Sequence, residues 1–119
     1  MQSETTWNEI LALYADPKLA QQLLQRQDEE GLDVVLHLFL QCAQTHGYEL
    51  SDAAQGRAAE HVRSWREQVI FPLRALRRSL KNLPENAGYR EAVRSQVKSA
   101  ELTAERAQVD MLCLWLAAD

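Results

Sequence analysis

The sequence predicts an all-α fold, and three observations carry that reading. Ala, Leu, Gln, Glu and Arg dominate, Gly (4) and Pro (3) are scarce, and β-branched residues form no long run, so intrinsic preference is helical almost throughout. Apolar residues recur at three- and four-residue steps in most of the chain. At 119 residues, one domain with one core is expected, burying roughly two thirds of the unfolded surface.

Thr6-Trp7-Asn8-Glu9 reads as a capping box, opening a short helix on Trp7, Ile10, Leu11 and Tyr14 that runs to about Ala15. Asp16-Pro17 then supplies an N-cap and a first helical residue. The second helix packs through Leu19, Leu23 and Leu24 and stops near Gly31. Asp33 caps a third helix of Val34, Val35, Leu36, Leu38, Phe39, Leu40, Cys42 and Ala43, apolar nearly all round and therefore central. Gly47 ends it.

Ser51 caps a fourth helix with a seam of Val62, Trp65, Val69, Leu73, Leu76, Leu80 and Leu83. Pro72 removes one amide and presses on the Gln68 carbonyl, which predicts a kink there. Asn82 to Gly88 is a turn. The last helix runs to the terminus on Tyr89, Val93, Val97, Ala100, Ala104, Ala107, Met111 and Leu114. Its alanines allow close approach, and the further apolar residues Leu112, Cys113 and Leu116 suggest burial on several sides or a homodimer through this helix.

The start carries Glu4 and no basic region, so a secretion signal is not expected. No apolar run reaches the roughly 18 residues of a membrane span. Cys42 and Cys113 sit in apolar surroundings, which suits free thiols and a cytoplasmic location.

The net charge of −4 divides unevenly: residues 1–56 sum to −7, residues 57–98 to +6 and residues 99–119 to −3. On an unbroken helix, Arg63, Arg66, Arg74, Arg77, Arg78 and Lys81 fall in one arc of roughly 120°. These six form a candidate partner-binding stripe for an acidic protein. Nucleic acid is the alternative, disfavoured by the acidic total and the lack of interleaved aromatic residues. In the ordinary structural reading they pair with the protein's own acids, supplied by Glu91, Glu101, Glu105 or the acidic first half.

Trp7, Leu13-Tyr14, Pro17, Gln27 to Val34 leading into Leu36 to Phe39, Trp65-Arg66, and Pro72 to Arg78 with Lys81 together resemble the proteobacterial "domain of unknown function 2390" family. The resemblance spans roughly residues 7 to 81 and implies a bacterial, non-secreted helical protein. It brings no reaction, substrate or cofactor.

Other constellations favour packing over chemistry. Cys42 and His46 have a spacing that suits two metal ligands but lack an evident third, and His37 reads as a core histidine. Asp28, Glu29, Glu30 and Asp33 read as capping and dipole partners before a cation cage. Gly-rich phosphate loops, nucleophile elbows and zinc-protease helices are missing. The expectation is a non-catalytic interaction or accessory protein with no metal and no cofactor.

Overall fold

The computed structural model describes residues 1–84 and 87–118. Its helices are α1 (Ser3–Tyr14), α2 (Pro17–Glu30), α3 (Val34–Thr45), α4 (Asp52–Trp65), α5 (Phe71–Lys81) and α6 (Ala87–Ala117). A π-helical turn, Arg66–Ile70, joins α4 to α5 without a break, so the two form one rod and the bundle has five helical rods among the described residues. The molecule measures 50 × 29 × 27 Å.

Three of the expected caps are made. Asp16 accepts from the Lys18 amide at 3.0 Å, Asp33 from Leu36 at 3.1 Å and Ser51 from Ala54 at 3.1 Å, each satisfying an amide that its helix leaves without an internal partner. Gly31 and Gly47 adopt positive φ of 68° and 90°, a region disfavoured for residues with a Cβ. The capping box does not form. Thr6 lies inside α1 and its hydroxyl donates back to the Gln2 carbonyl at 2.7 Å, while Glu9 turns to His46 at 2.9 Å.

α3 is central, as its composition requires: Val34, Val35, Leu36, Leu38, Phe39, Cys42 and Ala43 are buried. Trp7 and Ile10 from α1, Leu23 from α2, Ala58 and Val62 from α4, and Val109, Leu112, Cys113 and Leu116 from α6 complete the core. The apolar end of α6 is thus covered by the protein's own helices, with Leu114 left exposed.

Two expected apolar faces are rotated. In the π-turn the Phe71 amide donates to Arg66, five residues back, instead of four. The widened turn eases the conflict between Pro72 and the helical ladder. It also inserts one residue, turning everything after it by about 100° relative to a straight helix. The seam Val62, Trp65 and Val69 therefore does not continue in phase. Ile70 is buried, Leu73, Arg74, Arg77 and Leu80 lie half-buried, and Phe71, Leu76 and Leu83 face outward.

On α6 the buried positions are Glu101, Ala104, Gln108, Val109, Leu112, Cys113 and Leu116. Tyr89, Val93 and Leu114 on the expected seam are exposed, and of its alanines Ala104 is the buried one. Its carbonyl accepts from the Trp65 indole at 2.9 Å, pinning α4 to α6. Of the turn expected at Asn82 to Gly88, Glu85 and Asn86 lie outside the described residues, and Ala87 already opens α6. Among the described residues there is no strand, and no helix is long and apolar enough to cross a membrane.

Candidate functional site

The rotation produced by the π-turn divides the six cations. Arg66, Arg74 and Arg77 turn inward, with side chains only 19%, 16% and 24% exposed. Arg63 and Arg78 stay outside at 63% and 55%, and Lys81 is exposed. The single accessible stripe expected from uniform helical geometry is therefore replaced by an inner and an outer set.

Each inner arginine meets a carboxylate. Arg66 Nε lies 3.0 Å from Asp33 Oδ2, and the same oxygen accepts from Gln108 Nε2 at 2.8 Å. Asp33 thus caps α3 with one oxygen and ties the π-turn and α6 to that cap with the other. Arg74 and Arg77 converge on Glu101, at 3.3 Å and 2.6 Å. That hydrogen bond to Glu101 raises the Arg77 pKa. Arg66 and Arg74 also stand over the Phe71 ring, 4.9 Å and 5.9 Å from its centroid, within cation–π range.

The outer set has weaker attachments. Arg63 bonds Glu67 at 3.2 Å and Glu60 at 3.4 Å along its own helix, and Arg78 reaches Asp28 on α2 at 2.9 Å. Exposed pairs of this kind contribute little, because water screens them and ordering long side chains costs entropy. Arg63→Glu and Arg78→Glu are each expected to leave the thermal midpoint within about 2 °C of the parent. Differential scanning fluorimetry is the check.

The inner cations line a cleft of about 550 Å³ enclosed by α1, α2, α3, the π-turn, α5 and α6. The first three helices and the turn before α3 supply mostly apolar side chains, Trp7, Ile10, Leu11, Leu24, Leu32 and Leu38, together with Tyr14, Gln27 and Asp33. The π-turn, α5 and α6 contribute Arg66, Arg74, Arg77, Lys98, Glu101 and Glu105, with Ser95 and Ser99 also in the lining. Leu11, Leu24 and Leu102 line the same cleft although they are exposed, so apolar surface continues to its mouth.

Three groups in the cleft are unusual. Burial, and then the neighbouring charge of Glu101, push the Glu105 carboxyl up to about 7. Arg74 and Arg77 oppose that rise, while Asp33 adds to it. Gln108 is 1% exposed, and its Oε1 has no hydrogen-bond partner. Tyr14, on α1, has its hydroxyl pKa raised by burial and by Glu105.

Asp33, Glu101 and Glu105 were within reach of the sequence as a cap and as possible partners of the arginines. Lys98 and Gln108 carry no local sequence signal of a site. The available signal is the spacing Glu101, Glu105, Gln108 and Leu112, which places them along one side of a helix.

The acidic residues before α3 do not gather as a cage. Asp28 takes Arg78, Glu29 accepts from Gln25 at 3.3 Å, Glu30 pairs with Arg26 at 3.2 Å, and Asp33 points to Arg66. Among the described residues, no group of three or more His, Cys, Asp or Glu side chains is placed to hold a metal. Cys42 and Cys113 are buried free thiols; burial, with Glu9 next in importance, pushes Cys42 up to about 11. His37 is only partly buried, and burial followed by the charge of Arg26 lowers its pKa.

Fold and cleft together define the class: an all-α helical bundle with a charged, small-molecule-sized recess between its helices. No curated protein and no solved structure matches the chain. The chain belongs to the family described as "Protein of unknown function (DUF2390)", which matches residues 5–112. The match takes in most of α6, which the resemblance over roughly residues 7 to 81 leaves out.

Proposed function

We propose that this protein is a non-catalytic accessory protein of the bacterial cytoplasm that binds a small molecule in the cleft between α2 and the α5–α6 pair. The observation that carries the reading is the cleft itself, about 550 Å³, lined mostly by apolar side chains from α1, α2 and α3 and by charged ones from the π-turn, α5 and α6. Small-molecule sites are commonly recesses of about 300–1,000 Å³, mostly apolar with a few convergent polar groups. One copy of the chain supplies the whole lining, so the proposal needs no dimer. Docking of an acidic protein, or of RNA or DNA, on the six-cation stripe is less well supported, because Arg66, Arg74 and Arg77 face Asp33 and Glu101.

Titration with N-phenylnaphthylamine, an uncharged dye that brightens in apolar surroundings, tests the reading. We expect a saturable rise equivalent to one dye per chain. Leu24→Glu, a change in the apolar part of the lining at a half-exposed position, should weaken it at least tenfold without lowering the melting midpoint by more than a few degrees. A signal that never saturates, or that Leu24→Glu leaves unaltered, would exclude the cleft as a binding site.

A further inference from the structure

The charges in the cleft are not balanced, and the imbalance specifies a ligand. Arg74 and Arg77 share the single carboxylate of Glu101. Lys98, one turn earlier on α6, has no ion-pair partner among the described residues. A guanidinium has five N–H donors, and the bonds to Glu101 use one from Arg74 and two from Arg77. The α5–α6 side of the lining thus holds three cations, Arg74, Arg77 and Lys98, against two carboxylates, Glu101 and Glu105. From α1, α2 and α3 the lining is chiefly apolar, with Ile10, Leu11, Leu24, Val34, Val35 and Leu38, and its polar-tipped side chains there are Trp7, Tyr14 and Gln27.

We propose that the cleft binds an amphipathic anion, its acidic head against Arg74, Arg77 and Lys98 and its apolar body against α1, α2 and α3, and that Glu105 takes up a proton as the anion enters. This deepens the binding reading above and rests on it.

The proton uptake follows from the surroundings of Glu105. Glu101 faces it from its own helix, Arg74 and Arg77 from α5, Asp33 from the start of α3, and Tyr14 from α1, while Arg66 and Lys98 line the same cleft. An anion held at Arg74 and Arg77 would add a second negative charge near its carboxylate and repel it. Protonation removes the conflict. The new O–H has an acceptor nearby: Gln108 Oε1 lies on the side chain three residues further along α6, buried and unpartnered, and residues three apart on a helix are neighbours. Above pH 7 the balance approaches one proton from solvent to the Glu105 carboxylate for each anion bound, and below pH 7 the carboxyl already carries that proton. Burial already holds that carboxyl near 7, so the coupling falls in the neutral range.

Displacement of the neutral dye by submicellar decanoate, decyl phosphate and decanol, at pH 6 and pH 8, tests the proposal. The dye signal is calibrated separately at each pH. Decanoate or decyl phosphate should bind at least tenfold more tightly than decanol at pH 6, and the arm that binds better identifies the head. Decanoate affinity should fall about tenfold by pH 8, following the protonated fraction of a group titrating near 7, and Glu105→Gln should abolish that fall. Lys98→Gln, at an exposed position, should weaken decanoate several-fold and leave decanol unchanged. Decanol binding as tightly as both anions would overturn the anion assignment while leaving the binding reading intact. A decanoate pH response retained in Glu105→Gln would overturn the coupling. Failure of the dye itself to bind would instead remove the reading beneath both.

Discussion

Glu101→Ala is expected to lower the unfolding free energy by about 3 kcal/mol, the lower end of the usual cost of removing one partner of a buried ion pair. For a chain of this size that corresponds to a fall of roughly 12 °C in thermal midpoint. The reason is geometric. Glu101 is nearly buried, and two guanidinium groups converge on it at 3.3 Å and 2.6 Å. Removing the carboxylate leaves two like charges facing each other in a recess with limited access to water. Glu91 provides the contrast, since it pairs with Arg90 and Arg94 at 3.7 Å and 3.6 Å but is itself 56% exposed. Glu91→Ala should change the midpoint by no more than about 2 °C. Changing Arg74 and Arg77 to methionine in the Glu101→Ala background should restore much of the loss, because the penalty comes from the stranded charges. Calorimetry on the three variants checks this; a loss below about 1 kcal/mol for Glu101→Ala would mean that water in the cleft screens the triad.

The same triad marks where the sequence is legible and where it is not. Local chemistry reads well: Asp16, Asp33 and Ser51 cap the helices they precede, and Gly31 and Gly47 take up positive φ after α2 and α3. The all-round apolar content of α3 places it at the centre, because no orientation of that helix could expose one face and spare the others. Phase is what local reading loses. Pro72 announces a disturbance, but a bend preserves the apolar register downstream whereas an inserted residue shifts it. The π-turn is the second kind. It brings Arg74 and Arg77 inside and leaves Leu76 and Leu83 in water.

On α6 the error has another source. Hydrophobic periodicity selects the face with the most apolar residues, yet the face turned inward carries Glu101, Glu105 and Gln108. Buried acids become tolerable only when their cations arrive from elsewhere in the chain, here from α5. The stripe on α5 and the acids on α6 are two halves of one arrangement, and each half alone resembles a solvated edge. The candidate cleft was thus present in the sequence as its parts: the arginines as a stripe, Glu101 and Glu105 as possible partners, Asp33 as a cap. Its assembly depends on one extra residue in a helical turn.

Glu105→Gln is expected to make the protein more stable at pH 8 and to leave it unchanged near pH 4.5. The folded protein holds the Glu105 proton up to about 7, against an ordinary value of 4.5. Between those two values the folded state binds more protons than the unfolded chain, so the Glu105 contribution is fully present below 4.5 and is lost as pH rises towards and through 7. Above that window the folded state bears the cost of an ionised, largely buried carboxylate, on the order of 3 kcal/mol from the size of the displacement. Glutamine keeps the shape and a hydrogen-bond donor but cannot ionise. Denaturant midpoints for parent and variant at pH 4.5, 5, 6, 7 and 8 should therefore converge near pH 4.5, separate progressively from there to about pH 7 and keep a constant gap above it, with the variant ahead. The difference between the two curves isolates Glu105, because every other titrating group is common to both. Parallel curves would mean that Arg74 and Arg77 compensate the carboxylate fully, in which case Glu105 could not release its proton reluctantly enough to couple it to the arrival of an anion.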